Sequence, residues 1–110
     1  MQSYDIHSGK PSVHVAINNL VGHINTCKKL HIKVFNVIVG HGSTGGTHKI
    51  KTETLTFLEE AKEKKQIKAF ICGNEIDIFN NKYQKLEDKY KKLLEKDNRN
   101  FNPGVIYIWL

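Results

Sequence analysis

The sequence lacks the features of a membrane-spanning or secreted protein. No apolar run approaches the ~18 residues that a membrane-spanning helix needs, and the first residues form neither a basic nor an apolar signal region. Cysteine is scarce, since only Cys27 and Cys72 are present, each within an apolar pattern. We therefore expect a cytoplasmic protein without a membrane span and with two reduced, buried thiols. A structural disulfide between them is the less favoured alternative.

Arginine is almost absent as well. The basic side chains are sixteen lysines and Arg99 alone, against eleven acidic residues, so the formal net charge is +6. Residues 1–68 hold ten basic and five acidic side chains, a net charge of +5. This excess favours a polyanionic partner such as DNA or RNA, although many basic domains bind nothing acidic. Lysine favours contacts with backbone phosphate over the bidentate recognition of bases that arginine provides.

The 110 residues suffice for a single domain, residues 1–110, with one two-layer core. The apolar spacing predicts strands and helices in alternation, with no internal repeat. Strands are expected at residues 4–7, 33–39, 67–72 and 105–110, and helices at residues 13–29 and 50–65. This βαβαβ order with a late strand implies right-handed crossovers and a partly parallel, mixed sheet of four strands, an α/β fold.

An amphipathic helix is predicted between the last two strands, over residues 79–96. Its apolar residues recur at alternating spacings of three and four, which indicates a helix of about 16 residues. They are Phe79, Tyr83, Leu86, Tyr90, Leu93 and Leu94. The favoured interpretation is a solvated helix that packs on the sheet through this aromatic stripe. A lysine-rich arm that faces nucleic acid is the alternative.

Half of the glycines in the chain lie in one loop, residues 40–49, directly after the strongest strand. Glycine lets successive backbone N–H groups converge on an anion, and the helix that follows adds the positive end of its dipole. We predict that this loop binds phosphate, and a long strand-to-helix connection is the alternative. The predicted phosphate-binding residues are Gly42, Ser43, Thr44, Gly45, Gly46, Thr47, His48, Lys49 and Lys51.

Two histidines end the first two predicted strands, and ligands of open α/β sheets gather beyond the carboxyl ends of parallel strands. If those strands are parallel neighbours, His7 and His41 reach one edge, with Asp5 on the same strand face as His7. One imidazole could then act as general base and the other as acid in phosphodiester cleavage, while loop amides hold the phosphorus oxyanions. Asp5 could orient an imidazole or bind a divalent cation, Mg²⁺ or Mn²⁺. Asp5, His7 and His41 are therefore the candidate catalytic residues.

Three other chemistries fit the loop less well. It matches the phosphate-binding P-loop pattern except that Gly46 stands at the lysine position, which disfavours nucleotide hydrolysis. A zinc site of His41, His48 and Cys72 lacks the paired spacing that structural zinc sites use. Neither serine near these motifs has the strand-turn-helix setting of an acyl-transfer nucleophile.

Together these motifs resemble the small MutS-related (Smr) domain family. The family's early Leu-Asp-x-His-Gly strand end resembles residues 4–8, and its His-Gly-x-Gly loop resembles residues 40–46. Its terminal strand after a glycine-rich turn resembles residues 103–110, so that the match covers residues 4–76 and 103–110. Ser8 and Thr44 stand where the family has glycines, and the segment 79–96 is an insertion.

The resemblance implies a two-layer α/β sandwich, similar to the C-terminal domain of translation initiation factor three, that binds DNA or RNA. The family includes DNA-nicking and RNA endonucleases, in which the Asp and His of the first motif and the His of the loop are implicated. Those residues correspond to Asp5, His7 and His41. The alternative function is a non-catalytic module that docks on RNA, DNA or ribosomal surfaces through its lysines.

Overall fold

The computed structural model describes residues 1–40, 45–96 and 102–110, and for residues 45–48 it describes the backbone alone. Strands and helices alternate along most of the chain. In chain order they are β1 (Gln2–Asp5), α1 (Val13–Lys29), β2 (Val34–Ile38), α2 (Gly45–Glu63), β3 (Ala69–Cys72), a 3₁₀ turn (Gly73–Glu75), α3 (Asn81–Gln84), α4 (Asp88–Glu95) and β4 (Val105–Trp109). None of the helices in these ranges is both long enough and apolar enough to cross a membrane.

The strands form one mixed sheet in the order β1-β2-β4-β3. β1 pairs with β2 in parallel, with Asp5 opposite Ile38. β4 lies between β2 and β3 and is antiparallel to both. The predicted mixed four-stranded α/β sheet is therefore confirmed. Because β1, β2 and β3 point the same way, their carboxyl ends share one side of the sheet with the start of β4, and we call this side the carboxyl edge.

The two long helices cover one face of the sheet. α1 begins where predicted, because the Ser12 side chain accepts a hydrogen bond from the Val15 backbone N–H. Alternate residues of β2, Phe35 and Val37, are fully buried on this face with Leu20 of α1 and Leu58 of α2. Each large apolar side chain that is buried in this way contributes roughly 1.5–3 kcal/mol to folding. This burial holds both helices against the sheet.

The segment before β4 packs on the other face of the sheet and differs from the single helix predicted over 79–96. It forms two short helices that are separated between Gln84 and Asp88. The first, α3, begins at Asn81 because the Asn80 side chain accepts the N–H groups of Lys82 and Tyr83. Phe79 lies outside both helices and is 82% exposed, so it does not belong to the packed stripe. Leu94 is buried with residues of β3 and β4. The second face is thus covered along β3 and β4, as a partial third layer.

Candidate functional site

The first two strands meet at the carboxyl edge as predicted. β1 ends at Asp5 and β2 ends at Ile38, and the parallel pairing continues one residue further through the Ile6 N–H and the Ile38 carbonyl oxygen, 3.2 Å apart. His7 therefore follows β1 where Val39 and Gly40 follow β2. This pairing brings a candidate catalytic histidine to the beginning of the glycine loop.

The imidazole of His7 is held by the main chain of the neighbouring strand. Its Nε2 atom lies 2.8 Å from the carbonyl oxygen of Val39. A carbonyl oxygen can only accept, so Nε2 carries the proton and donates it. In the neutral ring the lone pair is then on Nδ1. The ring is half-buried, and this hydrogen bond determines both its orientation and its tautomer.

Among the described contacts, the Asp5 carboxylate bonds to the main chain of His7 and not to its ring. Its Oδ1 atom accepts the backbone N–H of His7 at 2.9 Å, and its own carbonyl oxygen accepts the N–H of Ser8 at 3.3 Å. These bonds close a turn over residues 6–9, so the alternation of strand faces does not extend to His7. Among the described contacts, the Val39 carbonyl and not the Asp5 carboxylate orients the ring. Asp5 shapes the turn that presents His7.

Gly104, at the start of β4, anchors the entry to the glycine loop. Its carbonyl oxygen accepts the N–H groups of Val39, at 2.8 Å, and of Gly40, at 3.2 Å. Gly40 has a φ of 75°, a left-handed conformation that favours glycine. A Cβ atom on Gly104 would lie 3.1 Å from the carbonyl carbon of Gly40, so the two glycines allow a close approach of the segments that follow β2 and precede β4. Val39 is thereby bonded to both His7 and Gly104.

The central part of the predicted phosphate loop lies outside the described residues. This applies to His41, Gly42, Ser43 and Thr44, so the expected meeting of His41 with His7 stays a prediction. Helix α2 begins at Gly45, five residues before the predicted start at residue 50, and so Gly45, Gly46, Thr47 and His48 form its first turn. The first N–H groups of an α-helix have no partner within the helix and lie at the positive end of its dipole.

The two lysines predicted to contact phosphate lie in different surroundings. Residues two apart on a helix point to nearly opposite sides of it, and Lys49 is exposed whereas Lys51 is half-buried. Lys51 lines a cleft of about 340 Å³ together with Cys72 and Glu75 at the end of β3. Lys51 therefore lies at the carboxyl edge, beside the end of β3.

Sequence reasoning missed a polar cluster in that cleft. Glu75 Oε1 accepts the backbone N–H of Cys72 at 3.0 Å and lies 3.9 Å from Nζ of Lys82. The same Nζ atom is 3.4 Å from the centre of the Phe70 ring, a cation-π contact. Burial lowers the pKa of the Lys82 amine, and the Glu75 carboxylate opposes this effect. Helical spacing in the sequence grouped Lys82 with the solvated lysines. Its position over Phe70 arises from the packing of α3 beside β3, which the sequence pattern does not show.

Both cysteines are free and buried, as predicted. Burial raises the pKa of the Cys27 thiol. Burial is also the largest influence on Cys72 and raises its pKa, although the nearby Lys51 charge acts in the opposite direction. The Cys72 thiol donates to the carbonyl oxygen of Pro103 at 3.4 Å. Neither thiol is placed as a reactive nucleophile.

The described residues do not make a dedicated cation cage. Over residues 1–40, 45–96 and 102–110, no group of three or more His, Cys, Asp or Glu side chains is positioned to hold a metal ion. Asp5 contributes a single carboxylate there, and that carboxylate accepts the His7 N–H. The Mg²⁺ or Mn²⁺ expected from the sequence stays a prediction, and no chemical step is assigned to it.

The comparisons with known proteins add no relative. No protein-family model matches this chain, and neither does any curated protein or solved structure. The resemblance to the Smr family therefore depends on the three sequence motifs alone.

Proposed function

We propose that this domain binds a backbone phosphate of DNA or RNA at the carboxyl edge, between His7 and the first turn of α2. The hydrogen bond from His7 Nε2 to the Val39 carbonyl oxygen carries this proposal. It holds an imidazole next to Gly40, five residues before Gly45, the first residue of α2. Backbone N–H groups at such a terminus are suited to phosphate oxygens.

The composition supports a partner that is recognised by its phosphates. The net charge of +6 comes from lysines with a single arginine. Lysine contacts to phosphate position a nucleic acid without reading its sequence, whereas bidentate arginine contacts to bases specify the sequence. We therefore expect binding that depends steeply on salt and only weakly on base sequence.

A second candidate function, phosphodiester cleavage, is favoured by the orientation of the His7 ring. Because Nε2 donates to Val39, Nδ1 is the atom that can take a proton from water or from a ribose 2′-hydroxyl. The oxygen thus activated forms a bond to phosphorus, and the bond from phosphorus to the leaving oxygen breaks. In this reaction His41 donates the proton that the leaving oxygen requires. The non-catalytic binding module stays the alternative to this second function.

A cleavage and binding assay on the purified chain tests both functions. The substrates are a labelled single-stranded RNA, its 2′-deoxy counterpart and a supercoiled plasmid, each with Mg²⁺, with Mn²⁺ or with EDTA. We expect cleavage that disappears in His7→Ala and in His41→Ala. The matched control is His14→Ala, since His14 is an exposed histidine of α1 whose ring contacts Asn18.

Each outcome of this assay has a defined meaning. If the RNA is cut and the 2′-deoxy strand is not, the nucleophile is the ribose hydroxyl. If nothing is cut but all three substrates are bound, the chain is a non-catalytic binding module. If none of the substrates is bound at low salt, the proposed function is wrong.

A further inference from the structure

A groove runs along the outer edge of β3. In the order β1-β2-β4-β3, this strand is the last of the sheet, and β4 is its only strand neighbour among the described residues. Residues of α2 line one side of the groove, and residues of α3 and the start of α4 line the other. The groove consists of two clefts of about 340 and 250 Å³ that share Phe70 and Lys82 as lining residues. We call these two adjoining clefts the β3 groove.

The β3 groove carries an excess of unpaired positive charge. Five lysines and three glutamates line it: Lys51, Lys62, Lys68, Lys82, Lys85, Glu59, Glu75 and Glu87. Glu75 is engaged by Lys82, and Glu87 pairs with Lys89 at 3.2 Å.

Three of the remaining lysines face solvent. Lys62, Lys68 and Lys85 are exposed, and within the described ranges none of them forms an ion pair. They come from α2, from the residue before β3 and from the end of α3, so positive charge borders the groove on both sides. Charge of one sign in a concave site attracts a polyanion and raises its local concentration.

The groove joins the phosphate site proposed above. Lys51 lines the end of the groove nearest the carboxyl edge. It lies six residues after the first residue of α2, which is about 9 Å along a helix axis. A chain that is held by its phosphate at the start of α2 can therefore continue past Lys51 into the groove.

We infer that the β3 groove holds a single strand of DNA or RNA that leaves the carboxyl edge, with its phosphates at Lys51, Lys62, Lys68 and Lys85. This inference rests on the proposed function. The half-buried Tyr90 lines the same groove and is backed by Trp109, with ring centres 5.0 Å apart, so it offers an aromatic surface to a base.

Binding of a labelled oligouridylate, followed by fluorescence anisotropy over a series of salt concentrations, tests the inference. The groove variant is Lys68→Gln/Lys85→Gln. The control is Lys29→Gln/Lys33→Gln, which removes two exposed lysines outside the groove. For the groove variant we expect the negative slope of log affinity against log salt to become shallower by about 1.4. Each phosphate contact with a single strand contributes about 0.7 to the steepness of this slope, and the variant removes two such contacts. The control should keep the slope of the original protein.

The outcomes separate this inference from the proposed function. If the groove variant and the control behave alike while His7→Ala still weakens binding or cleavage, the groove inference is wrong and the proposed function stands. If the original protein binds no oligonucleotide, both fail. A poly-glutamate peptide that competes as well as an oligonucleotide of equal charge would identify an acidic peptide as the occupant, and a duplex that binds as tightly as the single strand would also overturn the inference.

Discussion

The Nε2 atom of His7 donates a hydrogen bond across two parallel strands to the carbonyl oxygen of Val39, 2.8 Å away. Val39 in turn donates its N–H to Gly104, so a candidate catalytic ring is connected through one residue to the start of β4. The ring therefore has two roles. Its Nε2 atom stabilises the fold as a hydrogen-bond donor, and its Nδ1 atom keeps a lone pair that can accept a proton. Substitutions at His7 can separate the two.

His7→Gln should keep the donor and remove the base. A glutamine amide can still donate to the Val39 carbonyl, so we expect its free energy of unfolding to stay near that of the original protein. His7→Ala loses the bond as well and should be less stable by about 1 kcal/mol. Both variants should lose cleavage, which urea unfolding and the RNA assay would measure side by side. Full cleavage activity in His7→Gln would rule out Nδ1 as the base.

Two glycines should respond in opposite directions to the same substitution. A Cβ atom on Gly73 would collide with the backbone carbonyl of Asn102, so Gly73→Ala should lower the free energy of unfolding by roughly 1–3 kcal/mol. Gly22 is an exposed residue of α1 with open space around its Cα, so Gly22→Ala should raise this free energy by about 1 kcal/mol. Urea unfolding of both variants checks the pair. If the free energy of unfolding of Gly73→Ala equals that of the original protein, the close contact between the 3₁₀ turn and Asn102 is contradicted.

Lys82 should give the stability of the protein a specific pH dependence. Its pKa is lowered by burial from the ordinary 10.5, so in the window just below 10.5 the unfolded chain binds more protons at this residue than the folded chain does. The contribution of Lys82 to stability therefore rises with pH through that window. Lys82→Met should lack this rise.

The measurement is the difference in unfolding free energy between the original protein and Lys82→Met at neutral pH and near pH 10. Taking the difference cancels the opposite trends of Tyr4 and Cys27, whose pKa values burial raises. Lys85→Met, at an exposed lysine of the same segment, is the control and should show no such trend. A difference that is the same at both pH values would contradict the burial of the Lys82 amine.

The two thiols should resist alkylation in the folded protein. Cys27 and Cys72 are buried and burial raises both pKa values, so the thiolate fraction is small and access is restricted. We expect iodoacetamide to modify neither residue appreciably at neutral pH and to modify both in urea, as mass spectrometry would show. Rapid modification of Cys72 without denaturant would contradict the burial of its thiol.

Local patterns predicted the regular elements well. The apolar spacing of α1 and its Ser12 cap depend only on neighbouring residues, and the helix begins at Val13 as expected. The start of the helix predicted over 79–96 was wrong for an equally local reason. The Asn80 side chain accepts backbone N–H groups of the first turn and so starts α3 at Asn81, which leaves Phe79 outside the helix and exposed. Apolar periodicity alone does not register such a capping residue.

The sequence by itself determined the class of this protein: a basic α/β domain with two free cysteines and a glycine loop between a buried strand and a helix. Only the tertiary structure decided that β4 enters between β2 and β3, that Val39 holds the imidazole ring of His7, and that Lys82 covers Phe70. The physical reason is the range of the interactions. Helix and strand periodicity are set by residues a few positions apart, whereas these contacts join segments that are distant in the chain and form only when the layers pack.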